Sequence, residues 1–247
     1  MRQREEKTSG NDIVIENRFL RWLDNFWYHY KWPVIVVAFF VFVGAVCFTQ
    51  CAQRETGDVT LVYAGGCTLT AEQHEQIVDV FDAVAPKKEE SGEKLATLLT
   101  QYSIYTEEEM KNACTDEDGT YSPSAFASFK QVTQSHLDNF RTYIQTGESG
   151  IWLVSEYVYD IQNIDTIAKP LNELFETVPE AAYDAYAIRL ADTEIYQYYD
   201  ALKVLPEDTL IVMSQQFQPL TMSQSSKDDV YKTFLDTYYA IVNFKAP

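Results

Sequence analysis

One uninterrupted apolar stretch, residues 32–53, constrains this chain more than any other feature. It contains no charged residue, and every position from 34 to 48 is apolar or glycine. A helix of this length matches the roughly 30 Å hydrocarbon core of a bilayer. The long segment before it and the lack of a small-residue cleavage site favour an uncleaved signal anchor. The sequence therefore predicts a chain that crosses the membrane once, at residues 32–53.

Charge divides the chain at this stretch. Residues 1–53 hold six Lys/Arg and five Asp/Glu, so residues 54–247 hold 13 basic (19 minus 6) and 32 acidic side chains (37 minus 5), a net of -19. Nucleic-acid binding depends on Lys and Arg, so we expect no nucleic-acid partner. Arg18, Arg21 and Lys31 before the span outweigh Arg54 after it, which predicts a cytoplasmic N-terminus and an extracellular domain at 54–247.

The segments before the span are predicted to differ from each other. Residues 1–16 are polar and charged, which indicates a disordered cytoplasmic tail. Residues 17–31 repeat apolar and aromatic side chains at helical spacing, which predicts an amphipathic juxtamembrane helix on the bilayer surface. Lipid contact through residues 17–53 explains this composition, and a docking face for a partner membrane protein is the alternative. The predicted apolar face comprises Phe19, Trp22, Leu23, Phe26, Trp27 and Tyr30.

The outer domain alternates strand and helix signals, which predicts one α/β domain of three layers with a mostly parallel sheet. A strand at 59–63 precedes a helix whose start carries the Thr70–Gln73 capping box. Ser122-Pro123 begins a long helix that ends at Gly147. The apolar run 151–154 is typical of a central strand with both faces buried. Residues 107–122 are the most polar segment and are predicted to form a loop.

No pattern in the outer domain indicates catalysis, a metal or a cofactor. His74 and His136 fall in predicted helices, and no nucleophile elbow accompanies them. The acidic turn 116–119 lacks the further ligands of an EF-hand loop. Cys67 and Cys114 lack paired zinc-ligand spacing. An extracellular setting permits a disulfide between these two cysteines, although two cysteines do not establish one.

The best candidate for a ligand site lies after the first and third predicted strands. In an open sheet, ligands bind outside the carboxyl ends of the strands. Backbone amides near a helix start, a hydroxyl, a carboxylate and an aromatic ring would suit a small polar solute. In the alternative interpretation, Gly65-Gly66 is only a tight turn and Glu156 is a first-turn helix residue. The candidate ligand-binding residues are Gly65, Gly66, Thr68, Ser155, Glu156 and Tyr157.

Two resemblances follow from particular segments. Residues 129–160, with a long helix ending in Thr146-Gly147-Glu148-Ser149-Gly150 and then the strand Ile151-Trp152-Leu153-Val154, resemble extracellular solute-binding proteins. The resemblance covers residues 58–163 and implies one lobe of a periplasmic-binding-type protein. The segment Trp-Tyr-His-Tyr-Lys-Trp at 27–32, beside a small acidic outer domain, is similar to single-pass proteins of Gram-positive bacteria, a likeness that implies no activity.

These observations favour a membrane-anchored extracytoplasmic binding or interaction module, with a small polar solute as its ligand. The alternative is a structural or assembly component of a cell-envelope membrane complex. A hydrolase that uses acidic residues is a third hypothesis, but without a catalytic motif we expect no enzymatic activity.

Overall fold

A computed structural model describes residues 18–52, 58–87, 95–215 and 224–247. The chain divides into two compact units, Met1–Glu55 and Thr56–Pro247. The predicted tail at 1–16 lies outside the described residues.

The described part of the first unit is one helix, α1, at Arg18–Ala52. Its window Tyr30–Cys47 is long and apolar enough to cross a membrane, and none of it is buried against protein. This confirms an apolar N-terminal helix. The helix continues through Pro33, so the predicted juxtamembrane segment and the predicted span belong to one helix. Proline is tolerated in apolar helices, where local adjustment satisfies the freed carbonyl.

The second unit alternates strands and helices in its first half and is more irregular in its second. Two 3₁₀ turns, Leu190–Asp192 and Asp200–Val204, flank a short helix at Glu194–Tyr198. The strands are β1 Val59–Gly65, β2 Thr97–Ser103, β3 Ile151–Ser155, β4 Ala187–Arg189 and β5 Thr209–Met213. The helices are α2 Ala71–Val84, α3 Glu107–Ala113, α4 Pro123–Thr146, α5 Glu156–Asp160, α6 Ile164–Ile167, α7 Leu171–Leu174, α8 Glu194–Tyr198 and α9 Gln224–Val242.

The five strands form one mixed sheet in the order β2-β1-β3-β5-β4. β1 pairs in parallel with β2 and with β3, whereas β5 pairs antiparallel with both β3 and β4. The α/β class is confirmed, but the prediction of a mostly parallel sheet is wrong. Only the first three strands are joined by crossover helices, and the short elements after α5 return the chain in the opposite direction.

Helices cover both faces of the sheet. Alternate strand residues point to opposite sides, so Leu61, Leu153 and Ile211 face one cluster while Val62 and Trp152 face the other. The first cluster is completed by α2, α8 and α9, and the second by α4, α5 and α6. All five residues of β3 are buried, so the predicted central strand at 151–154 is confirmed.

Local capping signals in the sequence correspond to the observed helix ends. The Thr70 hydroxyl accepts from Gln73 N–H, and the Gln73 side chain accepts from Thr70 N–H, so the predicted capping box is formed. α4 begins at Pro123 after its Ser122 cap and ends at Gly147, which is left-handed with φ 67°. The predicted loop at 107–122 is wrong in its first half, because Thr106 and Glu109 form a second capping box that begins α3.

Truncation of Leu153 tests the central position of β3. Leu153 is fully buried in the larger core cluster, so Leu153→Ala should lower the free energy of unfolding by about 2–5 kcal/mol. Chemical denaturation of the full chain in detergent, followed by near-UV circular dichroism, measures the change. Val178→Ala, at a position that is 44% exposed, is the control and should change stability by less than about 0.5 kcal/mol. A loss below about 1 kcal/mol for Leu153→Ala would contradict the burial of β3 on both faces.

Candidate functional site

A row of small residues crosses four neighbouring strands at the carboxyl edge of β1. Ser103 of β2 is paired with Gly65 of β1, and Ser155 of β3 is paired with Thr209 of β5. Gly65 and Ser155 are also adjacent, since a Cβ placed on Gly65 would lie 3.3 Å from the Ser155 Cβ. Because alternate residues of a strand point to opposite faces of the sheet, all four lie on the same face. This is the face that packs against the larger core cluster, the one that contains Leu61 and Leu153. We call Ser103, Gly65, Ser155 and Thr209 the edge row.

The side chain of Tyr63, two residues before Gly65 on the same face of β1, extends toward Gly65. Its hydroxyl would lie 2.7 Å from a Cβ on Gly65, so it occupies the space that the glycine leaves open. Tyr63 and Thr209 are fully buried, and the Thr209 hydroxyl has no hydrogen-bond partner among the described residues. Burial raises the pKa of the Tyr63 phenol far above its ordinary value, Cys67 and Asp208 raise it further, and a hydrogen bond from the Cys67 backbone N–H partly offsets this. The phenol is therefore neutral at neutral pH.

Gly65, the last residue of β1, and Gly66 are needed for space rather than for backbone conformation. The described glycines with positive φ are Gly119 and Gly147. A Cβ on Gly65 would meet the Tyr63 hydroxyl, and a Cβ on Gly66 would lie 2.7 Å from Glu109 Oε1. A tyrosine hydroxyl and a carboxylate of the chain itself thus occupy the space beside the two glycines.

Three carboxylates surround the edge row. Burial raises the pKa of the Asp208 carboxyl, and the negative charges of Glu156 and Glu109 raise it further, while the backbone N–H groups of Glu156 and Asp208 partly offset this. Glu156 forms an ion pair with Arg189, and that pair is the main reason for the raised pKa of Arg189. Glu109 Oε2 accepts from the N–H and hydroxyl of Thr106 at 2.7 and 2.8 Å. Glu156 is thus paired with a cation, whereas Glu109 and Asp208 accept hydrogen bonds from uncharged groups.

A chain of hydroxyls and an amide lies at the β2 end of the row. Thr68 Oγ1 is 2.9 Å from Ser103 Oγ and 2.7 Å from the Tyr105 hydroxyl. The Gln101 side chain donates to Cys67 O at 2.9 Å and to Ser103 Oγ at 3.2 Å, which ties the loop after β1 to β2. This network holds the 66–69 segment in place beside the edge row.

The two histidines have structural contacts. His74 Nε2 lies 2.7 Å from the Leu99 carbonyl oxygen. His136 Nδ1 lies within hydrogen-bond distance of the Ser103 backbone N–H and carbonyl, at 3.1 and 3.0 Å. His74 thus links α2 to β2, and His136 links α4 to β2.

The structure brings together only part of the predicted site. Gly65, Ser155 and Glu156 lie side by side at the β1–β3 junction, and Gly66 lies under Glu109. Thr68 contacts the β2 end of the edge row through Ser103, whereas the Tyr157 side chain is 38% exposed. Cys67 and Cys114 are both free thiols, so the disulfide that the sequence left open is not formed here. Cys67 Sγ instead contacts the Val204 carbonyl at 3.7 Å.

Some helix-start amides at this edge already have acceptors within the chain. The Thr70 hydroxyl accepts from Gln73 N–H in the first turn of α2, and Ser155 Oγ accepts from Val158 N–H in α5. The backbone N–H of Glu156 donates to the Asp208 carboxylate. The predicted contribution of backbone amides to a ligand site stays a prediction.

Within the described residues, no group of three or more His, Cys, Asp or Glu side chains has the spacing of a metal site. Two surface grooves lie elsewhere in that part of the chain. One runs along the exposed side of α4 past Lys130, Gln134 and Asp138, and the other along α1 past Tyr30 and Pro33. Each is lined by one helix only, as is usual between side chains three or four residues apart. Neither groove reaches the edge row.

Several residues of the edge were not predicted, for two different reasons. Glu109 was missed although Thr106-x-x-Glu109 is a helix-start signature. Asp208, Thr209 and Arg189 reach this edge only because β5 runs antiparallel to β3, and no local pattern in the sequence encodes that pairing. Tyr63 was assigned to a buried strand, but the position of its hydroxyl beside Gly65 depends on the space that the glycine leaves.

Comparison with known proteins yields no relative. No protein-family model matches the chain, and neither a curated protein nor a solved structure matches it. The resemblance of residues 58–163 to solute-binding proteins therefore stays a prediction, and the edge row has to be interpreted from its own chemistry.

Neutralising Asp208 tests the electrostatics of the edge. Because its pKa is raised in the folded state, the charged form opposes folding at neutral pH, and this cost disappears as the pH falls through the raised value. Asp208→Asn should therefore raise the thermal unfolding midpoint at neutral pH, with a gain that shrinks in acid. Thermal unfolding of the full chain in detergent across a pH series measures this gain.

The matched control is Asp200→Asn. A hydrogen bond from Lys203 lowers the pKa of Asp200, so this variant should show a small loss at neutral pH that disappears in acid. If Asp208→Asn lowered the midpoint at neutral pH, the raised pKa of Asp208 would be contradicted.

Proposed function

We propose that this chain is a membrane-anchored binding module: α1 anchors it in the bilayer, and the 56–247 unit, on the extracytoplasmic side, binds a small polar solute at the edge row. Three observations support the proposal, namely the apolar α1 window at Tyr30–Cys47, the position of the edge row in the sheet, and the polar groups gathered there.

The position of the edge row is the observation that carries the proposal. The chain passes from β1 to β2 on one side and then crosses to β3 on the other side of β1. The connections leave in opposite directions at this point, and open sheets bind ligands at such a point, outside the carboxyl ends of the strands. Gly65, Gly66, Ser155 and Glu156 flank this junction, as a ligand site in an open sheet would require.

The chemistry of the edge favours a polar solute over an apolar one. Hydroxyls of Thr68, Ser103 and Tyr105 and carboxylates of Glu109 and Asp208 lie around the junction. An apolar ligand would bury these groups without replacing the hydrogen bonds that they make with water, at a cost of about 1–3 kcal/mol for each group. A solute with several hydrogen-bonding groups avoids that cost.

The assembly alternative has support from a different part of the chain. Pro33, Val34, Val37 and Ala38 line an apolar groove on one side of α1, and a second membrane helix could pack there by van der Waals contact. Lipid chains fill such grooves equally well, so this observation favours the alternative less than the edge row favours binding.

The topology is tested by accessibility. Because Arg18, Arg21 and Lys31 outweigh Arg54 around the span, protease added to intact cells should remove residues 56–247 and leave the N-terminus protected. An epitope tag at each end, followed by immunoblotting, reads the outcome. A domain that is cleaved only after the membrane is permeabilised would place it in the cytoplasm and would contradict the proposed localisation.

The binding site is tested with three small probes that share one hydroxyl, namely ethylene glycol, glycolate and ethanolamine. Saturation-transfer NMR on the full chain in detergent should detect saturable binding of at least one probe. Gly66→Val should abolish it, because the new Cβ would lie 2.7 Å from Glu109 Oε1 and displace that carboxylate. Glu117→Gln in the exposed 116–119 turn is the control. Binding that survives Gly66→Val, or the absence of binding by all three probes, would contradict a solute site at the edge row.

A further inference from the structure

We infer that three side chains, His74, Asp82 and His136, prevent β2 from pairing with β2 of a second copy of this chain. β2 is a terminal strand of the sheet, and the backbone groups on its outer side, the side that faces away from β1, are a template for association with another strand. We call the three side chains the guards. They act separately from the edge row and from the proposed solute site.

The direction of the backbone groups in β2 follows from its two ends. Ala96 O accepts from Val59 N–H at 3.1 Å, and Ile104 N–H donates to Gly65 O at 2.8 Å. The even-numbered residues therefore face β1, and the odd-numbered residues present their N–H and C=O groups to the outer side. The outward residues of β2 are Thr97, Leu99, Gln101 and Ser103.

The residues of β2 do not supply the usual protection of a terminal strand. Residues 95–105 contain no charged residue, proline or glycine, and a run of this kind is typical of segments that pair with copies of themselves. The other terminal strand, β4, is protected differently. It has only three residues, and Ala182 bridges to Ile188 on its outer side. The longer terminal strand is thus the one that needs protection by side chains.

Two of the guards belong to α2. Asp82 Oδ1 accepts a hydrogen bond from Thr97 N–H at 2.7 Å. The His74 ring donates through Nε2 to the Leu99 carbonyl oxygen at 2.7 Å. An outward donor and an outward acceptor of β2 are therefore already bonded within the chain, and a second strand would have to displace both side chains.

The third guard, His136, approaches β2 from the opposite face of the sheet, since α2 packs on one core cluster and α4 on the other. Its Nδ1 lies 3.1 Å from Ser103 N and 3.0 Å from Ser103 O. In one tautomer Nδ1 accepts from the N–H, and in the other it donates to the carbonyl. In either tautomer the ring lies against both outward groups of Ser103.

Charge and anchoring determine how much protection the chain requires. The net charge of -19 on residues 54–247, from 13 basic and 32 acidic side chains, keeps copies apart. This repulsion is screened beyond about 8 Å at physiological ionic strength. Copies anchored in one membrane, as proposed above, also meet at a raised effective concentration. The guards act at contact distance, where uncharged strands would otherwise pair.

Removal of both histidines tests the inference. The double variant His74→Ala, His136→Ala frees outward groups of Leu99 and Ser103, so the full chain in detergent should associate through β2. Light scattering coupled to size-exclusion chromatography should give a protein mass at least twice that of the unaltered chain at equal concentration, and added salt should increase it further. The double variant Gln76→Ala, Gln134→Ala removes exposed side chains from the same two helices and should leave the mass unchanged.

A proline at position 101 shows whether the association uses the strand. Gln101 lies between the guarded residues, and its N–H faces outward. Gln101→Pro therefore removes a donor to a second strand and keeps the ladder with β1. Added to the double histidine variant, this change should restore the mass of the unaltered chain. Gln101→Ala removes the same side chain but keeps the N–H, so it should not restore the mass.

Two results would overturn the inference. One is a double histidine variant that keeps the native near-UV circular dichroism spectrum and the mass of the unaltered chain. The other is association that persists after Gln101→Pro. If the double variant loses the native spectrum, His74→Ala alone takes its place. This variant keeps the other two guards and should still associate more than the unaltered chain in added salt, and an equal mass would overturn the inference.

Discussion

The pairing of β3 determines what this fold can present to a ligand. β3 lies parallel to β1 on one side and antiparallel to β5 on the other. Parallel pairing puts the carboxyl ends of β1 and β3 at the same edge, whereas antiparallel pairing puts the amino end of β5 there. Asp208 and Thr209 therefore reach Gly65 and Ser155 across the sheet. If β5 had been parallel, the residues after Met213 would lie at this edge instead, and the site would have lacked its third carboxylate.

Most of the parallel half of the sheet could be predicted, because the sequence signals for its strands and helices are local. The apolar run of β3, the Thr70 capping box and Gly147 each act within a few residues of chain, and the structure has all three where they are expected. The direction of pairing in the second half of the sheet could not be derived in this way. β4 has only three residues, and the direction of β5 depends on packing between segments far apart in sequence, which no propensity records.

The candidate site likewise has one part that local sequence signals predict and another that depends on non-local strand pairing. Gly65, Ser155 and Glu156 follow directly from strand ends and were predicted, whereas Asp208 depends on non-local pairing and was not. The two glycines make room for neighbours within the chain, since Tyr63 and Glu109 fill the space beside them. A sequence shows that a small residue is present. It does not show which neighbour requires the space.

The arrangement of charges at the edge has an energetic asymmetry that bears on function. The fold supplies a guanidinium to Glu156, so that carboxylate is stable without any outside partner. Asp208 has only amide dipoles and two like charges around it, and its ionised form is held partly out of water at a cost to folding. Functional sites often hold charged groups in such unfavourable positions. Charge at this edge is therefore balanced by a guanidinium on the Glu156 side and only by backbone amides on the Asp208 side.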